Sequence, residues 1–270
     1  MLKSARVGGF CVCCEDESCG TDFLRLFSEL AAEIFPAETA FGNAKKPAKN
    51  FVKTELAGST TGRVFKISVG GKNYVFKQDT RRNHALDHRL QSFIFGSNSL
   101  RLIRSLERVG GAEIFPAAKV FLVADRKRFG AVTESFLITE YIEGENLGSV
   151  PNFRERYGAE VAAVIAKLHA NGLVHGDVHE RNFILGAAGT RYAGKVVGID
   201  LSGKRSTKYT RAEDRIRLEW VFGVPNERRD AGTTLFLLKG RLRNFLRRIR
   251  GCKPINEQLL RPHTKISSAK

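Results

Sequence analysis

Apolar residues recur at helical spacing in four segments of the chain. In each segment they fall three or four positions apart, which places them on one face of an α-helix. Residues that commonly end helices follow, among them Pro36, Gly110 and Gly172. Ser97 or Ser99 can cap the second helix. The pattern predicts helices over Asp22–Ile34, Leu100–Val109, Arg154–Ala170 and Leu235–Arg250.

Short apolar runs bounded by turn residues separate the helices and are typical of strands. The predicted strands are Phe51–Ala57, Arg63–Val69, Asn73–Lys77 and Phe136–Ile142, followed by a hairpin of Phe183–Leu185 and Val196–Ile199. We therefore predict an α+β fold of two lobes. The N-terminal lobe, residues 1–142, would be an antiparallel β-rich unit with one main helix. The C-terminal lobe, residues 143–270, would be mainly helical and end in a loose tail.

Composition narrows the class of protein. The chain has 270 residues, of which 42% are hydrophobic, and no apolar run approaches the ~20 residues of a membrane helix. No secretory signal is visible, so we expect a cytoplasmic protein. The net charge of +17 indicates an anionic partner: nucleic acid, anionic lipid headgroups or a phosphorylated substrate.

Four of the five cysteines lie close together, at Cys11, Cys13, Cys14 and Cys19. Three of them could serve as zinc ligands, but no paired motif or nearby histidine completes a tetrahedral site. Because the cluster lies in a strand-like run, we expect reduced thiols that are packed or exposed at a sheet edge.

One stretch, Gly172–Lys204, concentrates the candidate chemistry. It contains Asp177 within a His-Gly-Asp sequence, Asn182 five residues later, and Asp200 at the end of an apolar run. A carboxylate can orient an acceptor hydroxyl and take its proton, whereas Mg²⁺ on a triphosphate prefers amide and carboxylate oxygens. The spacing matches the catalytic loop of protein kinases, with Gly176 in place of Arg. The predicted hairpin would carry Asn182 and Asp200 to the same end, where both could bind the Mg²⁺ of a nucleotide. Together, the base and the two metal ligands indicate phosphoryl transfer from ATP.

The N-terminal strands follow the order of a kinase small lobe. A turn between Gly58 and Gly62 would cover the phosphates of ATP. Lys77 ends an apolar strand, as the kinase lysine does, and would pair with the α- and β-phosphates. Lys66 has the same local pattern on the preceding strand, so Lys77 is preferred. After the last strand, the backbone from Glu140 to Ile142 would meet the adenine edge.

Other charged and imidazole side chains near these motifs receive no firm role. Glu107 is the acid of the second helix and Asp87 precedes it, and neither can be assigned as the partner of Lys77. His175 is interpreted as a scaffold for the catalytic loop. His179 could approach the transferred phosphate.

Two features after Asp200 argue against a eukaryotic-type protein kinase. The sequence continues Leu201-Ser202-Gly203 rather than Phe-Gly, and no A-P-E segment follows.

The last predicted helix carries a Leu and Phe face and many arginines. It could pack on the C-terminal lobe by its apolar face, and its arginines could then face anionic lipid.

The chain resembles the lipopolysaccharide core heptose kinases, most closely those that act on the second heptose of the inner core. The motifs that carry the resemblance are VHGDVHERNFIL, VVGIDLSGKR, EYIEGENL, RAEDRIRLEW, FGVPNERRDAG and RNFLRRIRG. It extends from Arg6 to about Lys253. The resemblance implies a two-lobed protein-kinase-like fold, ATP with Mg²⁺, and a heptose hydroxyl of a membrane-borne glycolipid as acceptor.

Motif by motif, the resemblance makes Asp177 the base, Asn182 and Asp200 metal ligands, and Lys77 a phosphate ligand. It places the protein on the cytoplasmic face of the inner membrane of a Gram-negative bacterium, attached peripherally to an anionic surface, and we expect a monomer. Three alternatives remain: a kinase for another core sugar, a kinase for an aminoglycoside-like molecule, and a non-catalytic binding module. Few aromatic residues interleave with the basic ones after Gly203, which disfavours binding of single-stranded nucleic acid.

Overall fold

A computed structural model describes residues 3–7, 10–14, 20–34, 52–58, 62–80, 97–109, 116–226, 230–255 and 257–260. Its internal contacts divide the chain into two compact units, Met1–Glu143 and Gly144–Lys270. Among the described residues, no helix combines the length and the apolarity that crossing a bilayer requires.

The first unit is built on a seven-stranded sheet in the order β1-β2-β6-β7-β5-β4-β3, in which every neighbouring pair is antiparallel. The strands are β1 (Lys3–Val7), β2 (Phe10–Cys14), β3 (Val52–Gly58), β4 (Gly62–Val69), β5 (Lys72–Thr80), β6 (Val120–Arg128) and β7 (Ala131–Glu140). Among the described residues of this unit, the helices are α1 (Gly20–Ile34) and α2 (Asn98–Arg108). Ser97 caps α2, since its hydroxyl accepts a hydrogen bond from the Leu100 N–H at 2.9 Å.

The core of this unit lies between α1 and one face of the sheet. Aromatic rings fill it, with Phe10 packed edge-on against Phe27 and Phe136 at centroid distances of 5.4 and 5.3 Å. Because side chains alternate along a strand, Cys13 turns to the opposite face. There α2 packs against β6 and β7.

The cysteines follow the same alternation. Cys13 and Cys14 are both buried, one on each face of β2, and Cys11 is exposed. Burial raises the pKa of the Cys13 thiol. The prediction of packed and exposed thiols is confirmed for these three cysteines, and Cys19 lies outside the described residues.

The second unit is mainly helical. The part of this unit that the structure describes contains a three-stranded sheet in the order β10-β9-β8 and three α-helices. The elements are β8 (Gly144–Asn146), α3 (Phe153–Ala170), β9 (Phe183–Gly186), β10 (Val196–Gly198), α4 (Lys208–Phe222) and α5 (Ala231–Ile249). The α4 helix packs against both α3 and α5. At the start of α5 only glycine fits, because a Cβ on Gly232 would lie 2.2 Å from the Lys208 carbonyl oxygen.

The predicted α+β class is confirmed, with a β-rich first unit and a mainly helical second unit. Sequence reasoning missed β1, β6, β8 and α4. It found α5, but the expectation that the apolar face of this helix packs inward is wrong. The leucines of that face are exposed, and α5 packs through Gly232, Thr233 and Asn244 instead.

Candidate active site

The backbone of the catalytic loop is anchored by one buried carboxylate. Asp214 on α4 is fully buried and accepts hydrogen bonds from the backbone N–H groups of His175 and Gly176, both at 2.8 Å. Nε2 of His169 lies 3.0 Å from the same carboxylate. A buried carboxylate that receives several hydrogen bonds fixes the conformation of its donors. Asp214 therefore holds the loop just before Asp177.

Gly176 is required by the close approach of the segment after Asp200. Its φ is +78°, and a Cβ there would lie 1.9 Å from Oγ of Ser202. The Ser202 N–H donates to the His175 carbonyl at 2.8 Å, and Nζ of Lys204 donates to the Gly176 carbonyl at 2.9 Å. This packing explains why glycine stands where protein kinases have arginine.

Asp177 is largely exposed but is oriented by two neighbours. Nη1 of Arg217 lies 3.0 Å from its Oδ1, and Nδ2 of Asn182 donates to its backbone carbonyl at 2.9 Å. Nδ2 also lies 3.3 Å from Oδ2. Since the Asn182 nitrogen is turned toward Asp177, the amide oxygen is the atom that can bind a metal ion.

The hairpin places Asn182 beside Asp200, as the sequence predicted. Phe183 pairs with Gly198, and the Ile199 N–H donates to the Asn182 carbonyl at 2.9 Å, which extends the pairing by one residue. Asp200 follows with a φ of +61°, a conformation that is uncommon outside glycine. The exposed carboxylate and the amide oxygen are hard donors of the kind that Mg²⁺ prefers, so this pair fits the metal ion of a nucleotide.

His175 is buried beneath these residues. Its ring packs on Phe183 at a centroid distance of 4.9 Å. Burial lowers the pKa of His175, although the nearby carboxylates of Asp214, Asp177 and Asp200 act in the opposite direction. The ring is therefore a neutral scaffold at physiological pH.

The other histidine of the loop makes local contacts. The side chain of His179 accepts from the Arg181 N–H at 3.2 Å, and its Nδ1 lies 3.3 Å from the Glu180 carboxylate. The hydrogen bond from the Arg181 N–H caps the short 3₁₀ turn of Glu180–Asn182. Its suggested approach to the phosphate stays a prediction.

Two charged residues of α4 and Lys204 form a series of ion pairs beside the catalytic loop, which sequence reasoning missed. Glu213 lies 3.3 Å from Nζ of Lys204 and 3.4 Å from Nη2 of Arg217. These cations contact the Gly176 carbonyl and the Asp177 carboxylate, respectively. Glu213 thus ties together the two cations that hold the catalytic loop. The signal in the sequence was the helical i, i+4 spacing of Glu213 and Arg217 in RAEDRIRLEW.

The first unit carries the predicted phosphate-binding residues. In the pairing of β4 with β5, Lys77 is opposite Val64 and Asp79 is opposite Gly62. The turn between Gly58 and Gly62 leads into β4, whose first residue, Gly62, lies two positions before Val64, the pairing partner of Lys77. Residues 59–61 of this turn lie outside the described residues. Lys66 lies on the same face as Lys77 but its Nζ stands 4.2 Å from the centre of the Tyr141 ring.

The predicted adenine-binding segment follows β7. The Glu140 N–H donates to the Lys119 carbonyl at 2.8 Å, so contact with a base edge would fall to the Glu140 carbonyl and to the backbone of Ile142. The Ile142 side chain is buried. Of the two acids considered as partners of Lys77, Asp87 lies outside the described residues and Glu107 is exposed near Cys13.

Comparison with known proteins identifies the family. Residues 50–252 match the family described as "Lipopolysaccharide core biosynthesis protein (WaaY)". The chain belongs to the WaaY family. The resemblance found in the sequence motifs is thereby confirmed.

Two curated members of the WaaY family are similar to this chain, and both are named "Lipopolysaccharide core heptose(II) kinase WaaY". One, from Escherichia coli, is 31% identical over 252 residues, which cover 93% of this chain and 99% of the relative. The other, from Escherichia coli strain K12, is 34% identical over 177 residues, which cover 66% of this chain and 72% of the relative. A solved structure, "WaaP in complex with acyl carrier protein", has a TM-score of 0.47 and 18% identity, covering 78% of this chain and 85% of that one.

Proposed function

We propose that this chain is an ATP-dependent kinase that phosphorylates a heptose hydroxyl of the lipopolysaccharide inner core, with the second heptose as acceptor. The observation that carries the proposal is the group of Asp177, Asn182 and Asp200: Asp214 anchors the loop just before Asp177, and the β9–β10 hairpin brings Asp200 beside Asn182. Membership of the WaaY family supports the acceptor class, because its curated members are named as heptose(II) kinases.

Asp177 acts as the base in this proposal. The acceptor oxygen forms a bond to the γ-phosphorus as the bond from that phosphorus to the β,γ-bridging oxygen breaks, and ADP leaves. The hydroxyl proton passes to Asp177. Arg217 pairs with Oδ1 of this carboxylate at 3.0 Å, whereas Oδ2 has only the longer contact of 3.3 Å with Nδ2 of Asn182, so in this proposal Oδ2 receives the proton.

The remaining site residues bind the nucleotide. Asn182 and Asp200 would hold Mg²⁺, which supplies neutralisation of the phosphate charge when it is bound. Lys77 would contact the α- and β-phosphates below the turn of Gly58 to Gly62. The backbone from Glu140 to Ile142 would hold the adenine.

We further propose peripheral attachment to the cytoplasmic face of the inner membrane, as a monomer. The net charge of +17 supports this, because a glycolipid acceptor and its surrounding headgroups are anionic.

Asp177→Asn tests the chemistry. The amide keeps the shape of the side chain but cannot accept the proton, so phosphoryl transfer should fall by at least about 100-fold while ATP still binds. Transfer to a truncated glycolipid that ends in the second heptose is followed by mass spectrometry, with glycolipid lacking that heptose and an aminoglycoside as control acceptors. Near wild-type turnover by the variant would remove Asp177 from the role of base. Preference for a control acceptor would instead reassign the substrate.

A further inference from the structure

The α5 helix exposes a continuous apolar stripe. Its six large apolar side chains are between 46 and 68% exposed and recur three or four positions apart, apart from the adjacent pair Phe245 and Leu246. They form one face of the helix. A contiguous exposed apolar face rimmed by polar residues marks an interaction surface. The members of the stripe are Leu235, Leu238, Leu242, Phe245, Leu246 and Ile249.

The opposite face of α5 attaches the helix to its own unit. Asn244 is buried and exchanges two hydrogen bonds with the backbone of Ile255, at 2.9 and 3.0 Å. Gly240 lies against the side chain of Leu260, where a Cβ would be 2.4 Å from Cδ2. The helix is therefore held without the stripe, which leaves the stripe available for another surface.

Basic residues border the stripe on both sides. Lys239, Arg243 and Arg250 lie along one edge at helical spacing, and Arg241 and Arg248 lie along the other. No acidic residue occurs between Ala231 and Ile249, and Glu257, which follows the helix, pairs with Arg248. The surface is apolar along its centre and cationic along both edges.

This charge pattern indicates which partner covers the apolar stripe. A second copy of the chain would bring basic edges against basic edges in any two-fold pairing of the stripes, because the pairing of Glu257 with Arg248 still leaves Lys239, Arg243 and Arg250 along one edge and Arg241 along the other. A bilayer with anionic headgroups satisfies both features at once: acyl chains cover the leucines while headgroups pair with the flanking cations. We propose that the stripe of α5 inserts into the interface of an anionic lipid bilayer, with the helix lying parallel to the surface.

A helix that lies parallel to the surface would hold the enzyme at the leaflet that carries its acceptor. A helix of 19 residues is about 28 Å long and presents its whole length to one leaflet. In the proposed function, on which this setting rests, the acceptor sugar is anchored in that same leaflet. Insertion would keep the enzyme at the acceptor's surface, whereas charge alone would give attachment that salt releases.

Vesicle binding tests the insertion directly. The triple variant Leu238→Gln, Leu242→Gln, Phe245→Gln removes apolar side chains from the stripe without changing the charge. The control is Val52→Gln, Leu56→Gln, Phe129→Gln, which removes three exposed apolar side chains from the first unit. Sedimentation with phosphatidylcholine vesicles, with and without phosphatidylglycerol, measures partitioning across a salt series.

We expect the stripe variant to lose at least about 100-fold in partitioning to the anionic vesicles, while the control behaves as the wild type. Both variants should keep the wild-type thermal midpoint, because the altered side chains are exposed. Equal binding by the stripe variant and the wild type overturns the proposal. So does a stripe that mediates a dimer in solution, detected by light scattering as a dimer that the triple variant abolishes.

Depth of insertion separates burial from surface attraction. Phe245→Trp adds a reporter to the stripe, and Phe129→Trp adds one to an exposed turn of the first unit; both proteins keep Trp220 as a shared background. On anionic vesicles only Phe245→Trp should shift its emission to the blue and be quenched by brominated acyl chains. Binding without this shift would show that the arginines act alone and that the stripe does not insert.

Activity assays test membrane insertion and the proposed reaction separately. On a soluble heptose-containing fragment the stripe variant should turn over as the wild type does, and on vesicle-borne acceptor it should be slower. If wild type inserts but phosphorylates no core sugar, the proposed function fails and the surface stands. If wild type phosphorylates the soluble fragment but does not insert, the surface fails and the function stands.

Discussion

Replacing Asp214 by Asn should uncouple the catalytic loop from α4. In the native protein its two carboxylate oxygens each accept one backbone N–H at 2.8 Å, from His175 and from Gly176. An asparagine has one acceptor oxygen, so one N–H would keep its bond and the other would face an NH₂ group. The loss combines a charge-assisted hydrogen bond with a buried, unsatisfied donor.

The size of the effect follows from these contacts. A hydrogen bond to a charged group contributes about 1.5–3 kcal/mol, and a buried donor left without an acceptor costs about 1–3 kcal/mol. Because Asp214 is fully buried, water cannot easily replace the lost acceptor. We expect Asp214→Asn to lower the free energy of unfolding by about 2–4 kcal/mol, and Asp214→Ala by more.

Asp230→Asn supplies a matched control in the same unit. Asp230 caps α5 by accepting from the Thr233 N–H at 3.0 Å, and its other oxygen pairs with Arg215 at 2.7 Å. Asparagine caps helices as well as aspartate does, and a partly exposed ion pair contributes little, so this change should cost no more than about 1 kcal/mol. Urea unfolding compares the free energies, and amide hydrogen exchange reports on the loop.

The backbone amides of His175 and Gly176 should exchange faster in Asp214→Asn than in Asp230→Asn. Turnover should fall with the loss of order in the loop, because Asp177 follows Gly176 directly. If Asp214→Asn is no less stable than Asp230→Asn and its loop amides keep their protection, Asp214 is not the anchor and the reasoning from its two contacts is refuted.

Three further predictions concern the side chains around the loop. Arg217→Ala should lower kcat by about 10- to 100-fold without raising KM for ATP, and Arg217→Lys should restore part of it; an effect confined to KM would contradict a role in orienting Asp177. Asp200→Ala should weaken nucleotide binding only when Mg²⁺ is present, measured by calorimetry, and an unchanged Mg²⁺ requirement would move the metal elsewhere. Because burial lowers the folded-state pKa of His175, the unfolded chain takes up its proton first as the pH falls below about 6.5, so stability drops there by up to about 1.4 kcal/mol per pH unit. His175→Gln should remove this part of the pH dependence, and parallel unfolding profiles for the two proteins would contradict it.

The candidate site could be predicted from the sequence where its geometry is local. The spacing of Asp177 and Asn182 lies within one loop, and a hairpin relates Asn182 to Asp200 through strand pairing alone. The contribution of Asp214 could not be predicted in this way. It lies 38 residues beyond Gly176 in a strongly charged helix, and in sequence a buried anchor looks the same as a solvated surface acid. Only the packing of α4 against the loop distinguishes them.

The orientation of α5 shows a second limit of prediction from the sequence. Periodicity establishes that Leu238, Leu242 and Phe245 share a face, but it carries no information about whether that face packs or is exposed. The usual case, in which the apolar stripe faces the core, gave the wrong answer here. The opposite face held the decisive signal: Gly240 allows the side chain of Leu260 to approach the helix backbone, and Asn244 bonds to the following turn. In α5, therefore, the glycine and the asparagine mark the packed face. The leucines, bordered by arginines, form the exposed face that we propose meets the bilayer.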